Sequence, residues 1–437
     1  MEDRGATKVT NLAQTGQRIR GRFLVSLEYS EYRKLWLATL SSQSAVWALI
    51  VARAALVLEL TGSPAWTGYV TFAAMIPSIL VSPLAGYLSD RFDRRTVLAC
   101  AYGINLAHSV ILAVLVASGA VEAWHVLLLA ILNGSARAAQ MPSAQALLAN
   151  LVPKAGILNA VSLYQATQQG SRFVGPFLIL VVLWITGQED WVFFLCAALY
   201  CSGLFLILRI RTRSTGVVEK GAGPRVILRN VTAGLQFMYH HALIVSIVLL
   251  VVAHCAMTMS FESLFPVLSR DKLGMEDASI MGGTSYLMVG YGATALVTSF
   301  ALAGVQSERI KGRTYLVMAV LSGLTPIGLA LAPNMPLAVL ATAGMGLSQG
   351  GFMTLSHAMV QTIAPDAIRG RLLGVYGWHI QGFMATFNLV NGTLAGFTGL
   401  TAAIVLGAGG VGFLIMLTLS MGRLPLRQLY ARGVPAT

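Results

Sequence analysis

Apolar residues run through this chain in long unbroken stretches separated by short polar breaks. A hydrocarbon core about 30 Å thick is crossed by about 20 apolar helical residues. Twelve stretches of that kind can be placed, at 33–60, 65–88, 96–118, 123–148, 157–186, 191–209, 242–268, 278–303, 314–332, 336–363, 371–397 and 400–420. Their continuous apolarity predicts helices, because barrel strands alternate lipid-facing with lumen-facing residues. The pattern therefore predicts an all-α membrane protein of twelve transmembrane helices.

The longest internal polar break, RIRTRSTGVVEKGAGPRVILRNVTAG at 209–234, follows the sixth stretch and divides the chain into six plus six. The expected organisation is an arm over 1–31, a six-helix bundle over 32–210, a linker over 211–238, a second six-helix bundle over 239–421 and a tail over 422–437. The halves echo one another. GYLSDRFDRR, from Gly86, follows the second stretch, and GVQSERIKGR, from Gly304, follows the eighth. Gly86 pairs with Gly304, Asp90 with Glu308, Arg91 with Arg309 and Arg95 with Arg313. A weaker echo links VPKAGILNAVSLY, entering the fifth stretch, with APDAIRGRLLGVYG, entering the eleventh. Two pseudo-symmetric bundles with matching loops are what a duplicated transporter shows, with its substrate site near the bilayer midplane between the halves.

Composition agrees: 437 residues are 56% hydrophobic, with a mean hydropathy of +0.71, which leaves too little polar surface for a soluble domain. Charge placement sets the orientation. Of the 30 Lys and Arg, Arg270 and Lys272 fall on one side, Arg53, Arg137 and Arg172 lie within spans, and all the others fall on the opposite side. By the positive-inside rule both termini are cytoplasmic, in a multi-pass protein of a bacterial-type cytoplasmic (inner) membrane. The net charge of +13 is then a solvated face near anionic lipid and calls for no nucleic acid. The first 31 residues lack the apolar core of a signal peptide. Cys100, Cys196, Cys201 and Cys255 lie in apolar spans with no CxxC pair, so neither metal nor disulfides are expected. With no GxxxxGK[ST] or HExxH sequence, nothing points to ATP-driven pumping, an enzyme or a cofactor.

An ionisable side chain at mid-span costs at least about 2.5–3.5 kcal/mol, so each one asks for a partner or an aqueous cavity. Arg53, Arg137, Arg172 and Glu262 stand out, and Glu262 is the one acid well inside a span. Arg53 lies at a similar depth in the first span. The expectation is that Arg53 and Glu262 pair across the halves when the external gate is shut, and that protonating Glu262 weakens the pair. A permanent ion pair, or an Arg53 that snorkels outward, would satisfy the same positions. His108, His254, His357 and His379 also fall within spans, where a lone histidine serves as an interhelical donor. His254 is the exception as a proton carrier, two turns before Glu262 on a similar face. Gln43, Trp47, Gln165, Gln168, Tyr286, Tyr291, Gln349, Gln361, Trp378 and Gln381 are candidates to line a central cavity or to face a neighbouring helix.

GYLSDRFDRR resembles the signature loop of the major facilitator superfamily, G-x-L-[AS]-D-R-x-G-R-[RK]. Gly86, Leu88, Asp90, Arg91, Arg94 and Arg95 match, and Asp93 stands where the superfamily has Gly. With YRKLW, LELTGSPAWTG, ARAAQMPSAQALLANLVP and APDAIRGRLLGVYG, the chain resembles the drug:proton antiporter branch that includes macrolide-efflux proteins and the enterobactin exporter. The resemblance implies a conformational latch in which Asp90 meets the start of the eleventh helix, around Ile368 to Arg371; the alternative is that the loop's charges only fix topology. Gly304, Glu308, Arg309 and Arg313 would form its second copy. It further implies proton-related roles for Arg137 and Arg172, and a kinked fifth helix at Gly175 and Pro176. Ser171 replaces the first Gly of the antiporter motif G-x-x-x-G-P-x-x-G-G, so close helix packing there is expected to weaken. The function expected is secondary active transport by alternating access: proton-coupled export of an amphipathic small molecule by a monomer in contact with membrane lipid. Uptake or lipid translocation on the same fold, and a non-transporting scaffold or sensor with a dry interior, are the alternatives.

Overall fold

The computed structural model describes residues 25–82, 91–212, 214, 224–275, 279–303, 305, 307–365, 368–397, 399–422 and 424–433. Gly86, Asp90 and Gly304 lie outside them. The fold is all-α. Helices α1 (Ser30–Thr61), α2 (Pro64–Met75), α3 (Arg94–Ala117), α4 (Ala123–Leu151), α5 (Ile157–Thr186) and α6 (Asp190–Leu208) form the first half. The span of α2 runs on to Ser82 past a turn at Ile76, beside Pro77, which has no N–H to give. After the linker helix α7 (Pro224–His240) come α8 (Ala242–Met257), α9 (Phe265–Asp271), α10 (Ile280–Ala303), α11 (Glu308–Leu331), α12 (Met335–Ile363), α13 (Arg369–Leu394), α14 (Ala402–Met421) and the tail helix α15 (Leu424–Arg432).

Among the described residues, eight helices are long and apolar enough to cross a membrane. α4, α12 and α13 are as long but fall short in apolarity, and the seventh expected span is in two pieces, α8 and α9. The linker also differs from expectation: it folds its second part into α7, which meets α8 at a bend of 101° at His241. Tyr239 of α7 is tied to His379 of α13 by a 3.0 Å hydrogen bond, so the helix lies against the second half.

The loops rich in Lys and Arg share one end of the helices, the basic end; the other is the far end. Burial is distributed unequally between them. One apolar core at the far end is built jointly by both halves, from Leu49, Val57 and Ala73 through Phe193 to Phe265, Met281 and Leu406. At the basic end each half has its own core, around Leu35, Tyr102 and Leu147 in the first and around Tyr315, Met359 and Tyr376 in the second. The halves are thus closed against each other at the far end.

Two helix pairs make most of the junction, α2 with α13 and α5 with α10. The first is backbone to backbone: a Cβ on Gly392 would fall 2.7 Å from Gly68 Cα, a space only glycine leaves free. Polar contacts rim the same end. Thr67 Oγ1 donates to Ser263 O at 2.7 Å, Arg270 Nη1 donates to Gly62 O at 3.1 Å, and Ser279 Oγ donates to the Glu189 carboxylate.

Candidate functional site

The seventh span stops being helical at Met257 and resumes at Phe265. Its sequence between, TMSFESL, is rich in hydroxyls, and broken backbone inside a membrane needs other partners for its freed groups. Those partners come from three sides. Ser260 Oγ donates to Cys255 O at 2.6 Å, Gln349 Nε2 of α12 donates to Thr258 O at 3.0 Å, and Asn391 Nδ2 of α13 donates to Ser260 O at 2.7 Å. Asn388 of α13 completes the set by accepting from Ser263 N at 3.0 Å on Oδ1, while its backbone carbonyl accepts from Ser263 Oγ at 2.9 Å.

Glu262 lies in this break, so it is not a side chain on a continuous helix as expected. It is 6% exposed, and its Oε2 is buried without a hydrogen-bond partner. The cations whose fields reach it are Arg172 and Arg137, from α5 and α4 of the opposite half. Arg172 lies over the Trp47 ring of α1, 4.8 Å from its centroid, and donates from Nη1 to Tyr291 Oη of α10 at 3.4 Å. Tyr291 in turn packs on Phe261, with ring centroids 4.9 Å apart, so the break, the fifth helix and the tenth meet at one point. Arg137 makes no hydrogen bond among the described residues and is half-buried, as is Arg172.

The expected Arg53–Glu262 pair is not formed in this structure. Arg53 is 1% exposed, its Nε donates to Leu49 O at 3.1 Å, and Nη1 has no partner. Helix rotation is the reason: at about 100° per residue, Arg53 lies on a different face of α1 from Trp47. It points into the first half, beside Tyr200 and Cys196 of α6, where Asn133 Nδ2 also binds Tyr200 Oη at 3.2 Å and Asn105 Oδ1 at 2.8 Å.

His254 does not share the site of Glu262 either, because the break separates them. Its fully buried ring packs on Phe352 at 4.4 Å and Phe413 at 5.3 Å between centroids, inside the second half. His108 is buried against Tyr200 and bonded to Asn105 O; His357 packs edge-on to Tyr376. Of the cavity candidates, Trp47 and Tyr291 join the arginine cluster, whereas Gln349 is sealed in the second half by its bond to the break. Gln43, Gln168 and Trp378 are half-buried, and Gln165, Tyr286, Gln361 and Gln381 are exposed. Sequence reasoning missed Asn388 and Asn391, although two asparagines one turn apart in an apolar span were the available signal.

Close packing at the fifth helix survives the loss of the first motif glycine. α5 runs through Pro176 without interruption, and a Cβ on Gly175 would lie 2.5 Å from Ser44 O of α1. Asp93, Arg94 and Arg95 of the first charged loop bind to the first half and to Ser214 just beyond α6. Asp93, the residue that departs from the superfamily pattern, caps α3: its carboxylate accepts from the N–H groups of Arg95 and Ser214, each at 3.1 Å. Arg94 donates to Ala146 O at 3.3 Å and Ser214 Oγ at 3.1 Å, and Arg95 donates to Leu208 O. In the second copy Glu308 pairs with Lys311 at 2.6 Å, Arg309 is exposed, and Arg313 stacks on Tyr430 of the tail helix at 5.3 Å.

A family model described as transmembrane secretion effector matches residues 23–434. The multidrug efflux pump Tap of Mycolicibacterium fortuitum is 24% identical over 336 residues, covering 75% of this chain and 80% of that protein. Tap of Mycobacterium tuberculosis is 27% identical over 352 residues, with 77% and 80% covered. The staphyloferrin A transporter of Staphylococcus aureus is 23% identical over 311 residues, with 71% and 76% covered. Among solved structures, a variant of the nucleoside transporter NupG superposes with a TM-score of 0.72 at 14% identity, covering 90% of this chain and 99% of its own. A peptide transporter POT in complex with sulfate gives 0.68 at 11% identity, covering 93% and 96%.

Proposed function

We propose that this chain, which belongs to the transmembrane secretion effector family of the major facilitator superfamily, exports an amphipathic small molecule in exchange for protons. It is a multi-pass membrane transporter and not an enzyme. In this reading the basic end faces the cytoplasm, both termini lie there, and the protein works as a monomer in the cytoplasmic membrane. Its efflux relatives support the direction.

The observation that carries the proton is Glu262. A carboxylate in a helix break, buried, with one oxygen unpartnered and two guanidiniums of the opposite half in its field, interacts differently with those arginines when neutral and when ionised. Since α4 and α5 move with one half and the break with the other, the charge on Glu262 biases how the halves are held. The far end is closed in this structure, which supports a cargo site reached from the basic end.

The test is uptake of amphipathic compounds into inverted membrane vesicles under an imposed proton gradient. The wild type should accumulate cargo when the lumen is acid, and Glu262→Gln should bind cargo while losing the response to the gradient. Full gradient-driven accumulation by Glu262→Gln would remove proton coupling from this residue.

A further inference from the structure

The membrane interior of this protein carries charges that do not balance. Arg53, Arg137 and Arg172 lie within the first half, and the acid that answers them is Glu262 alone: among the described residues every other Asp and Glu lies at the helix ends or in the loops. No ion pair forms between these four side chains; those found among the described residues, Lys34–Glu31, Arg270–Asp271 and Lys311–Glu308, lie near the ends of helices. Arg53 is sealed in with Nη1 unpartnered. The four charges influence one another in series: Arg53 with Arg137 beside Tyr200, Arg137 with Glu262, and Glu262 with Arg172. Cation outnumbers anion in a medium that penalises unpaired charge heavily.

Two of the cations keep part of their surface free. Arg137 has no hydrogen bond, and Arg172 spends one long bond on Tyr291 while its guanidinium face rests on Trp47. A planar guanidinium held on an aromatic ring keeps its N–H edge available for a planar acid, the geometry in which arginine binds carboxylates and related groups. The surroundings are apolar and aromatic, with Trp47, Phe261 and Tyr291 at the same point.

We propose that the exported cargo is an amphipathic anion whose acidic group is received by Arg137 and Arg172, with Arg53 supplying positive potential from behind. This rests on the export reading above and adds the cargo's charge class to it. Cargo and proton then occupy different groups, guanidinium and carboxylate, and are linked through the two conformations of the carrier rather than by sharing one site. Moving a negative charge outward is itself favoured by a membrane potential that is negative inside, so transport of such a cargo is electrogenic.

The experiment uses three probes with one naphthyl body: a sulfonate, the neutral sulfonamide and a trimethylammonium cation. Each is offered to inverted vesicles containing the full chain, under a proton gradient and, separately, under a lumen-positive potential set with potassium and valinomycin. The sulfonate should accumulate in preference to the other two, and faster as the lumen is made more positive. Arg137→Gln and Arg172→Gln should each weaken sulfonate uptake by about tenfold or more, the scale of one charge-assisted contact, with partial recovery in Arg137→Lys and Arg172→Lys. Preference for the cation or the neutral probe in the wild type overturns the anion proposal and leaves export standing. Accumulation of none of the three overturns the export reading on which it rests.

Discussion

Alanine at Gly392 should favour opening of the far end. The Cβ it adds would lie 2.7 Å from both Gly68 Cα and Gly68 N and 3.1 Å from Pro64 O, all backbone atoms that cannot rotate away. Carbon contacts are comfortable at about 3.5–4.0 Å, so α2 and α13 must part by about 1 Å or strain locally. Overpacking of that size costs about 1–3 kcal/mol, a shift of about 5- to 150-fold in the equilibrium between closed and open far ends. The gain in helix propensity on replacing glycine, about 1 kcal/mol, is the same in both conformations and cancels. The assay is the distance between spin labels at Trp191 and Leu400, exposed positions of opposite halves at this end, in a protein whose four cysteines have been replaced. A longer component should grow in Gly392→Ala and again in Gly68→Ala, and the double variant should add less than the sum because both changes crowd the same contact. An unchanged distance distribution in Gly392→Ala, with unchanged thermal stability, would show that this glycine contact does not hold the far end shut.

Three other outcomes follow from contacts described above. Asn388→Leu removes the acceptor of Ser263 N and should destabilise the protein by about 1–3 kcal/mol, read as a lower melting temperature in detergent, with Asn391→Leu acting in the same direction. Asp93→Gly, which restores the residue usual in the superfamily, should cost about a few tenths of a kcal/mol at the cap and about 1 kcal/mol through the lost bond from Ser214 N, and speed hydrogen exchange in the first turn of α3. At the far-end rim, burial pushes the Glu189 carboxyl above its usual 4.5, against the hydrogen bond from Ser279 and with help from the charge of Asp190. A carboxyl that is easier to protonate in the closed form favours closure at low pH, and that advantage is lost as pH rises from the ordinary carboxylate value through the raised one. Glu189→Gln should flatten this pH dependence in the same spin-label measurement.

The sequence was a good guide wherever the signal was a long average. Most of the twelve apolar stretches anticipated a helix and its ends to within a few residues, although α11 begins at Glu308 rather than near 314 and the seventh stretch is two helices; the charged loop anticipated the family. It was a poor guide where the outcome depended on rotation or on partners distant in the chain. Depth can be read from spacing, and so Arg53 and Glu262 were matched by depth; which face of α1 meets which helix is set by packing, and Arg53 turned inward to Tyr200. The break at 258–264 lies in a stretch apolar enough to read as one helix, and what stabilises it is side chains of α12 and α13 far along the chain. His254 was linked to Glu262 by assuming an unbroken helix between them. Ser171 suggested looser packing at the fifth helix, yet a single glycine, Gly175, at the contact point suffices for backbone approach to α1.

The division of the apolar cores also sets a timetable for synthesis. The basic-end core of the first half is drawn from residues between Tyr32 and Ile210, so it is complete before the linker leaves the ribosome. The core shared at the far end needs Phe265, Met281 and finally Leu406. The first half must therefore wait in the bilayer with its joining face unmatched, against lipid or an insertion partner, until nearly the whole chain has been made. Truncations that end before α14 should leave that face permanently unmatched, and the cell's quality control would meet a half-built protein that is already well folded at its basic end.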